Sequence, residues 1–65
     1  MNYSEIIKDI MIERNLSQSD MAKLLDVNQT TISQWLMMKK KPNYDSILAI
    51  YKVFGITPNE LFDID

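Results

Sequence analysis

The sequence has no cysteine and no histidine among its 65 residues. A chain without these side chains lacks disulfides, the usual zinc ligands and the commonest acid–base catalyst at neutral pH. It also has only one glycine and two prolines, too few turn-forming residues for a sheet of short strands. We therefore expect an all-α protein that holds no metal or cofactor.

Long apolar runs are also lacking. No segment approaches the roughly 20 apolar residues of a membrane span, and the first residues lack the basic start and apolar core of a signal peptide. We expect a soluble, cytoplasmic protein with no membrane partner.

The length and composition are those of a small globular domain. Of the 65 residues, 46% are apolar and 25% are charged, a balance typical of a folded chain with a single core. We expect one domain over residues 1–65, too small to add a pocket for a small-molecule ligand.

The formal net charge of −2 is unusual for a protein that binds nucleic acid, because such binding rests on lysine and arginine. The charges are, however, unevenly divided along the chain. Residues 14–41 hold five basic and two acidic residues, or +3, whereas the remainder holds two basic and seven acidic residues, or −5. The sequence therefore predicts a polarised molecule with one side suited to a polyanion.

Apolar residues recur at helical spacing in five segments, and cap residues separate them. Ser17 and Asn28 precede the second and third segments, and Thr57 with Glu60 can form a capping box before the last. The spacing predicts helices over about residues 3–14, 18–25, 29–38, 44–54 and 58–63. The link between the second and third helices is too short for antiparallel packing, so they should cross steeply as a helix-turn-helix.

The segment from Gln18 to Trp35 resembles the helix-turn-helix of the phage repressor and Cro-type (XRE-like) family. The shared features are the opening glutamine, a small alanine at position 22, apolar residues at 27 and 32, and the Thr-Ile-Ser-Gln-Trp run of residues 31–35. The resemblance extends over nearly the whole chain, because that family has one helix before the motif and two after it. It implies a five-helix, lambda-repressor-like domain that binds a double-stranded DNA operator and regulates transcription, as a repressor.

The resemblance also assigns roles to polar residues of the motif. Glutamine can donate to and accept from an adenine edge, and threonine can contact the thymine methyl group. The positions that match the family's base-contacting residues are Gln29, Thr30 and Gln34, with Ser33 as a fourth. The expected contacts to the DNA backbone are Gln18, Asn28, Thr31, Lys39, Lys40 and Lys41.

Three departures from the family pattern affect the expected structure. Asp26 stands in the turn where the family often has glycine, and we expect it to tolerate a left-handed conformation. Leu36, Met37 and Met38 replace a glutamate, a polar residue and a glycine, so we expect a longer or differently bent exit from the third helix. In the family, that glutamate often pairs with an arginine on the first helix, and Met11 occupies the arginine position here. We therefore expect an apolar contact between Met11 and Leu36 in place of an ion pair.

Family geometry and the apolar residues near the end of the chain also predict a homodimer, because two recognition helices double the number of base pairs read. The expected contact residues are Ile56, Pro58, Leu61 and Phe62. An alternative from another class is a protein-binding module, antitoxin-like or an antirepressor subunit, whose acidic surface docks a basic partner. An enzyme is disfavoured, because no side chains form a credible catalytic constellation.

Overall fold

The computed structural model describes residues 2–62, and within that range the chain forms five α-helices and no strand. This confirms the predicted all-α, lambda-repressor-like class. The helices are α1 (Tyr3–Glu13), α2 (Gln18–Leu25), α3 (Gln29–Leu36), α4 (Tyr44–Phe54) and α5 (Pro58–Leu61). None of the helices described has the length and apolar character needed to cross a bilayer.

Side-chain caps define where the helices begin. Ser17 Oγ accepts a hydrogen bond from the Asp20 amide at 3.0 Å, and the Asp20 carboxylate accepts from the Ser17 amide at 3.0 Å. Thr57 and Glu60 form the same reciprocal capping box before α5, as predicted. Because each box satisfies two backbone donors, short polar sequences are enough to start these helices.

Three helices end in the same backbone motif, although no glycine is present there. Asn15, Asp26 and Met38 follow α1, α2 and α3 with φ of 54°, 56° and 59°. In each case the next amide bonds back across the last turn, as in a Schellman motif; after α3 the Lys39 amide donates to the Gln34 carbonyl at 2.8 Å. The left-handed residue and this bond stop each helix.

The motif corrects the predicted course of the chain after α3. We expected that helix to continue to Met38 and to have a longer or differently bent exit. It ends at Leu36 instead, and Met38 adopts the left-handed conformation that glycine usually takes at this position. In this turn the Met38 amide donates to the Trp35 carbonyl at 3.1 Å and the Lys39 amide to the Gln34 carbonyl, so the α-helical bonding pattern ends here.

The core is formed by buried side chains from all five helices, with α3 packed on α1 and α2, and α4 packed on α2. The side chains buried most completely are Ile7, Met21, Ile32, Trp35, Ile50 and Leu61. Ala22 is also buried, where α2 packs on α3, and a larger side chain there would overpack the crossing. Helix α5 ends at Leu61 with Phe62 as its C-cap, and the predicted extension to residue 63 lies outside the described residues.

Candidate nucleic-acid interface

The turn between α2 and α3 is set by Asp26, which lies at φ 56° and ψ 48°. The Val27 amide donates to the Ala22 carbonyl at 3.0 Å across this turn. Asp26 therefore takes the left-handed conformation expected of it, and only three residues separate the end of α2 from the start of α3.

The inward face of α3 consists of Ile32 and Trp35, which are 0% and 2% exposed. Their burial determines the rotation of the helix, since side chains on the opposite face must then point outward. Gln29 and Thr30 are exposed, and Ser33 and Gln34 are half-buried. An uncharged, hydrogen-bonding strip thus lies along the outer side of the helix.

Four of the predicted contact residues surround one shallow depression of about 350 Å³, formed between α3 and the start of α2. We call this depression the reading cleft; it is lined by Gln18, Gln29, Thr30 and Ser33. Gln18 is the first residue of α2, where free backbone amides and the helix dipole favour an anion. The cleft therefore combines neutral hydrogen-bonding groups with the start of a helix.

Gln34 lies in a second depression, of about 250 Å³, rather than in the reading cleft. We call this one the lysine cleft; its lining residues are Thr31, Gln34, Trp35, Lys40, Lys41, Asn43 and Ser46. Here an amide from α3 stands beside two ammonium groups that follow the helix. The predicted base-contacting residues are therefore divided between two neighbouring depressions.

Two predicted backbone contacts line neither cleft. Asn28 is the N-cap of α3, but its exposed side chain makes no capping hydrogen bond and so keeps its donor and acceptor atoms open to solvent. Lys39 is exposed next to the lysine cleft.

Sequence reasoning missed Asn43 and Ser46 as lining residues of the lysine cleft. Asn43 caps α4, with its side chain accepting from the Ser46 amide at 2.9 Å, and both residues line the lysine cleft. The signal that could have found the start of this helix is an asparagine, a favoured N-cap residue, just before an apolar run. Only the folded chain, however, brings that start against α3.

Carboxylates line neither cleft among the described residues. The nearest in sequence to the reading cleft is that of Asp20, whose pKa is lowered chiefly by the backbone hydrogen bond from Ser17 and next by the Ser17 hydroxyl. Asp20 is therefore ionised at neutral pH and engaged with the start of α2. Within residues 2–62 no three acidic side chains are grouped so that they could hold a metal ion.

The predicted dimer residues differ in how accessible they are. Pro58 is exposed, and Ile56 and Phe62 are half-buried. Leu61 is 0% exposed, because α5 turns it into the core of its own protomer, and we remove it from the expected contact surface.

Comparison with known proteins places this geometry in a family. A family model described as helix-turn-helix matches residues 7–61, which include all of α2 and α3. The chain belongs to this helix-turn-helix family. The match also covers α4 and α5.

One curated relative is the HTH-type transcriptional activator BcrR of Enterococcus faecalis. It is 36% identical over 61 residues, which are 94% of this chain and 30% of the relative. The chain thus spans less than a third of that relative's length. No solved structure matches the chain.

Proposed function

We propose that this chain binds double-stranded DNA in a sequence-specific manner as part of a transcriptional regulator, with α3 in the major groove. The observation that supports this most is the pairing of an uncharged hydrogen-bonding strip with a lysine cleft, neither of them lined by carboxylates. An α-helix fits the major groove, where base edges present distinct donors and acceptors. Its function is binding, with no catalysis and no small-molecule ligand.

The two clefts suggest a division of labour. Gln29, Thr30, Ser33 and Gln34 contact base edges and select the sequence. Gln18, Asn28, Thr31, Lys39, Lys40 and Lys41 contact sugar-phosphate groups and set the register. Contacts with sugar-phosphate groups hold the protein on any duplex, whereas contacts with base edges distinguish one duplex from another.

The protein acts as a homodimer on a two-fold related operator. Each protomer measures 31 × 23 × 21 Å, so two side by side can offer recognition helices to half-sites about one helical turn, roughly 34 Å, apart. Ile56, Pro58 and Phe62 are the proposed contact residues. A chain that remains monomeric on a two-fold operator in sedimentation experiments would refute this arrangement.

The proposed effect on transcription is repression. The proposed location of the protein is the cytoplasm. Blocking a promoter requires only the duplex-binding surface built by residues 18–41, whereas activation requires a further contact with the transcription machinery. The relative from Enterococcus faecalis is named an activator, so a reporter assay is the decisive measurement. Higher expression from a promoter bearing the selected operator would reverse this part of the proposal.

DNA binding is tested by selecting bound fragments from a pool of random duplexes and measuring their affinity over a series of salt concentrations. We expect a shared motif among the fragments and a discrete complex that weakens by about 0.9 logarithmic units per phosphate contact for each tenfold rise in salt. An unrelated duplex of equal length should bind more weakly by orders of magnitude. Equal binding to both duplexes would contradict the proposal.

The rival function is docking of a basic protein partner, which the net charge of −2 favours. The acidic excess lies outside residues 14–41, however, and leaves both clefts free of carboxylates among the described residues. The rival predicts no sequence preference and no discrete complex in the same experiment.

A further inference from the structure

We infer that Tyr3 and Ser4 are positioning residues for the lysine contacts with DNA, an inference that rests on the proposed function. Both lie in the first turn of α1, far in sequence from the recognition helix. Their hydroxyl groups donate to the Lys40 carbonyl at 3.1 Å and to the Leu36 carbonyl at 2.7 Å. The Leu36 carbonyl lies at the end of α3. The Lys40 carbonyl lies in the middle of residues 39–41, the segment that we call the lysine loop.

The Ser4 hydrogen bond completes the end of α3. The last carbonyls of a helix have no partner within it and need one from elsewhere. The carbonyls of residues 33, 34 and 35 accept from the amides of residues 37, 39 and 38, all within the local turn. The Leu36 carbonyl accepts instead from Ser4, so α1 fixes the end of the recognition helix directly.

The Tyr3 hydrogen bond holds the middle of the lysine loop. Tyr3 is only 5% exposed, and its ring packs against Phe62 with the centroids 6.0 Å apart and the planes tilted by 58°. A ring held on that side directs its hydroxyl to one place, the carbonyl of Lys40. The buried Pro42 anchors the chain just beyond the loop.

The helix that supplies these hydroxyls is itself fixed at its start. The Asn2 side chain accepts from the Glu5 amide at 2.9 Å, and the Asn2 amide donates to Glu5 at 3.3 Å. This capping box sets the first turn of α1, where Tyr3 and Ser4 lie. A rigid donor is required if the hydroxyls are to position a loop rather than follow it.

The lysine loop has its backbone held while its three side chains are exposed. Holding the backbone before binding lowers the entropy lost when the ammonium groups meet phosphates, which raises affinity. Because phosphates carry no sequence information, Tyr3 should affect all duplexes alike and leave base selection unchanged.

The test compares Tyr3→Phe with the wild-type protein on a duplex selected from a random pool and on an unrelated duplex. The substitution keeps the ring against Phe62 and removes only the hydroxyl. We expect Kd to rise roughly two- to tenfold on both duplexes, the range that follows from removing one hydrogen bond. We also expect the salt dependence to fall by about 0.9 for each phosphate that the lysine loop no longer reaches. Tyr51→Phe on the exposed face of α4 is the matched control and should leave both quantities unchanged.

A double-mutant cycle separates positioning from a general effect on the fold. In a background with Lys39→Ala, Lys40→Ala and Lys41→Ala, Tyr3→Phe should cause no further decrease in affinity, because the ammonium groups that it positions are absent. A hydroxyl that only stabilises the domain would lower affinity equally in both backgrounds, and that result would overturn the inference. The ¹⁵N shift of the Lys41 amide should also change in Tyr3→Phe, since it shares a peptide group with the Lys40 carbonyl.

If circular dichroism shows that Tyr3→Phe does not fold, Ser4 provides the same test. Ser4→Ala should raise Kd roughly two- to tenfold, and Ser4→Thr, which keeps a hydroxyl, should restore it. Failure of threonine to restore affinity would overturn the inference. A wild-type protein that binds no duplex would end the proposed function together with this inference, whereas a wild type that binds and a folded Tyr3→Phe with equal Kd and salt dependence would end the inference alone.

Discussion

The inward and outward faces of α3 differ in burial and in chemistry. Inward, Ile32 and Trp35 are almost fully enclosed, whereas outward, Gln29 and Thr30 are exposed and uncharged. An isolated helix of eight residues is not stable in water, so α3 owes its existence to the inward face. The residues of the outward face are not needed for folding and can be those that suit recognition. Substitutions on the inward face should therefore change stability, and substitutions on the outward face should change DNA binding.

The largest expected effect is that of Trp35→Ala on the inward face. Removing a fully buried aromatic side chain costs about 3–5 kcal/mol of unfolding free energy, because it removes burial and leaves a cavity. In a domain this small that cost approaches the whole stability. Chemical denaturation followed by circular dichroism measures it.

Gln29→Ala on the outward face is the control for that experiment. Its unfolding free energy should stay within about 0.5 kcal/mol of the wild type, since the side chain is exposed. Equal decreases in the two variants would break the distinction between the faces.

The second effect separates two kinds of contact on the outward side. Gln34→Ala should reduce discrimination at one base pair of a selected operator by about 1–3 kcal/mol. Lys40→Ala should weaken binding to all duplexes alike, because it removes an ammonium group that we propose contacts a phosphate. Competition binding with single-base-pair variants of the operator measures both.

Lys52→Ala is the matched control for Lys40→Ala, because it removes an exposed ammonium group from the last turn of α4 instead of from the lysine cleft. It should leave the salt dependence of binding unchanged. If Gln34→Ala and Lys40→Ala give the same pattern across operator variants, the division of labour is wrong.

A smaller effect, of opposite sign, is expected at the junction between α3 and the lysine loop. Met38 is 52% exposed and has φ of 59°, a conformation that costs a side chain with a Cβ roughly 1–2 kcal/mol. Met38→Gly should therefore stabilise the fold by about 1 kcal/mol, after the greater freedom of glycine in the unfolded chain is counted. Thermal unfolding measures the gain.

Met37→Gly is the matched control, since Met37 is 55% exposed but has an ordinary φ of −88°. It should gain nothing and lose some stability. A Met38→Gly variant that is less stable than the wild type would show that the methionine side chain makes a compensating contact.

The smallest effect concerns Asp20 and depends on pH. Its pKa is lowered from 3.8 chiefly because the Ser17 amide donates to the carboxylate, with a second contribution from the Ser17 side chain. The ionised form therefore favours folding above pH 3.8, and the benefit is lost as the pH falls through the folded-state pKa. Asp20→Asn should lower Tm at pH 7, and the difference from the wild type should shrink below pH 3.8. A difference that stays constant across this range would argue against the capping carboxylate as its source.

Local patterns predicted most of the fold. The caps at Ser17 and Thr57 and the start of each helix followed from residues within one turn, because capping and amphipathic spacing are short-range effects. The end of α3 was placed two residues too late, since nothing in Leu-Met-Met marks a stop. Met38 occupies the left-handed position because the hydrogen bonds of the turn, and those from α1 to the carbonyls of Leu36 and Lys40, outweigh its own preference.

The candidate site was predictable residue by residue but not as an arrangement. The roles of Gln29, Thr30, Ser33 and Gln34 remain predictions, and only the folded chain divides them between two clefts. Leu61 was expected at a dimer contact because it is apolar and near the end of the chain. A one-dimensional pattern cannot distinguish an apolar residue kept for a partner from one that fills its own core.

By itself, the amino-acid order determined the helical class, the short turn and the neutral outer strip of α3, because each depends on residues that are neighbours along the chain. Tertiary structure alone decided that Asn43 and Ser46 line one cleft with Gln34 of α3, and that Tyr3 reaches across to the Lys40 carbonyl. Those contacts join residues up to 37 positions apart. Their partners are chosen by how the helices pack, and helix packing is a property of the whole core.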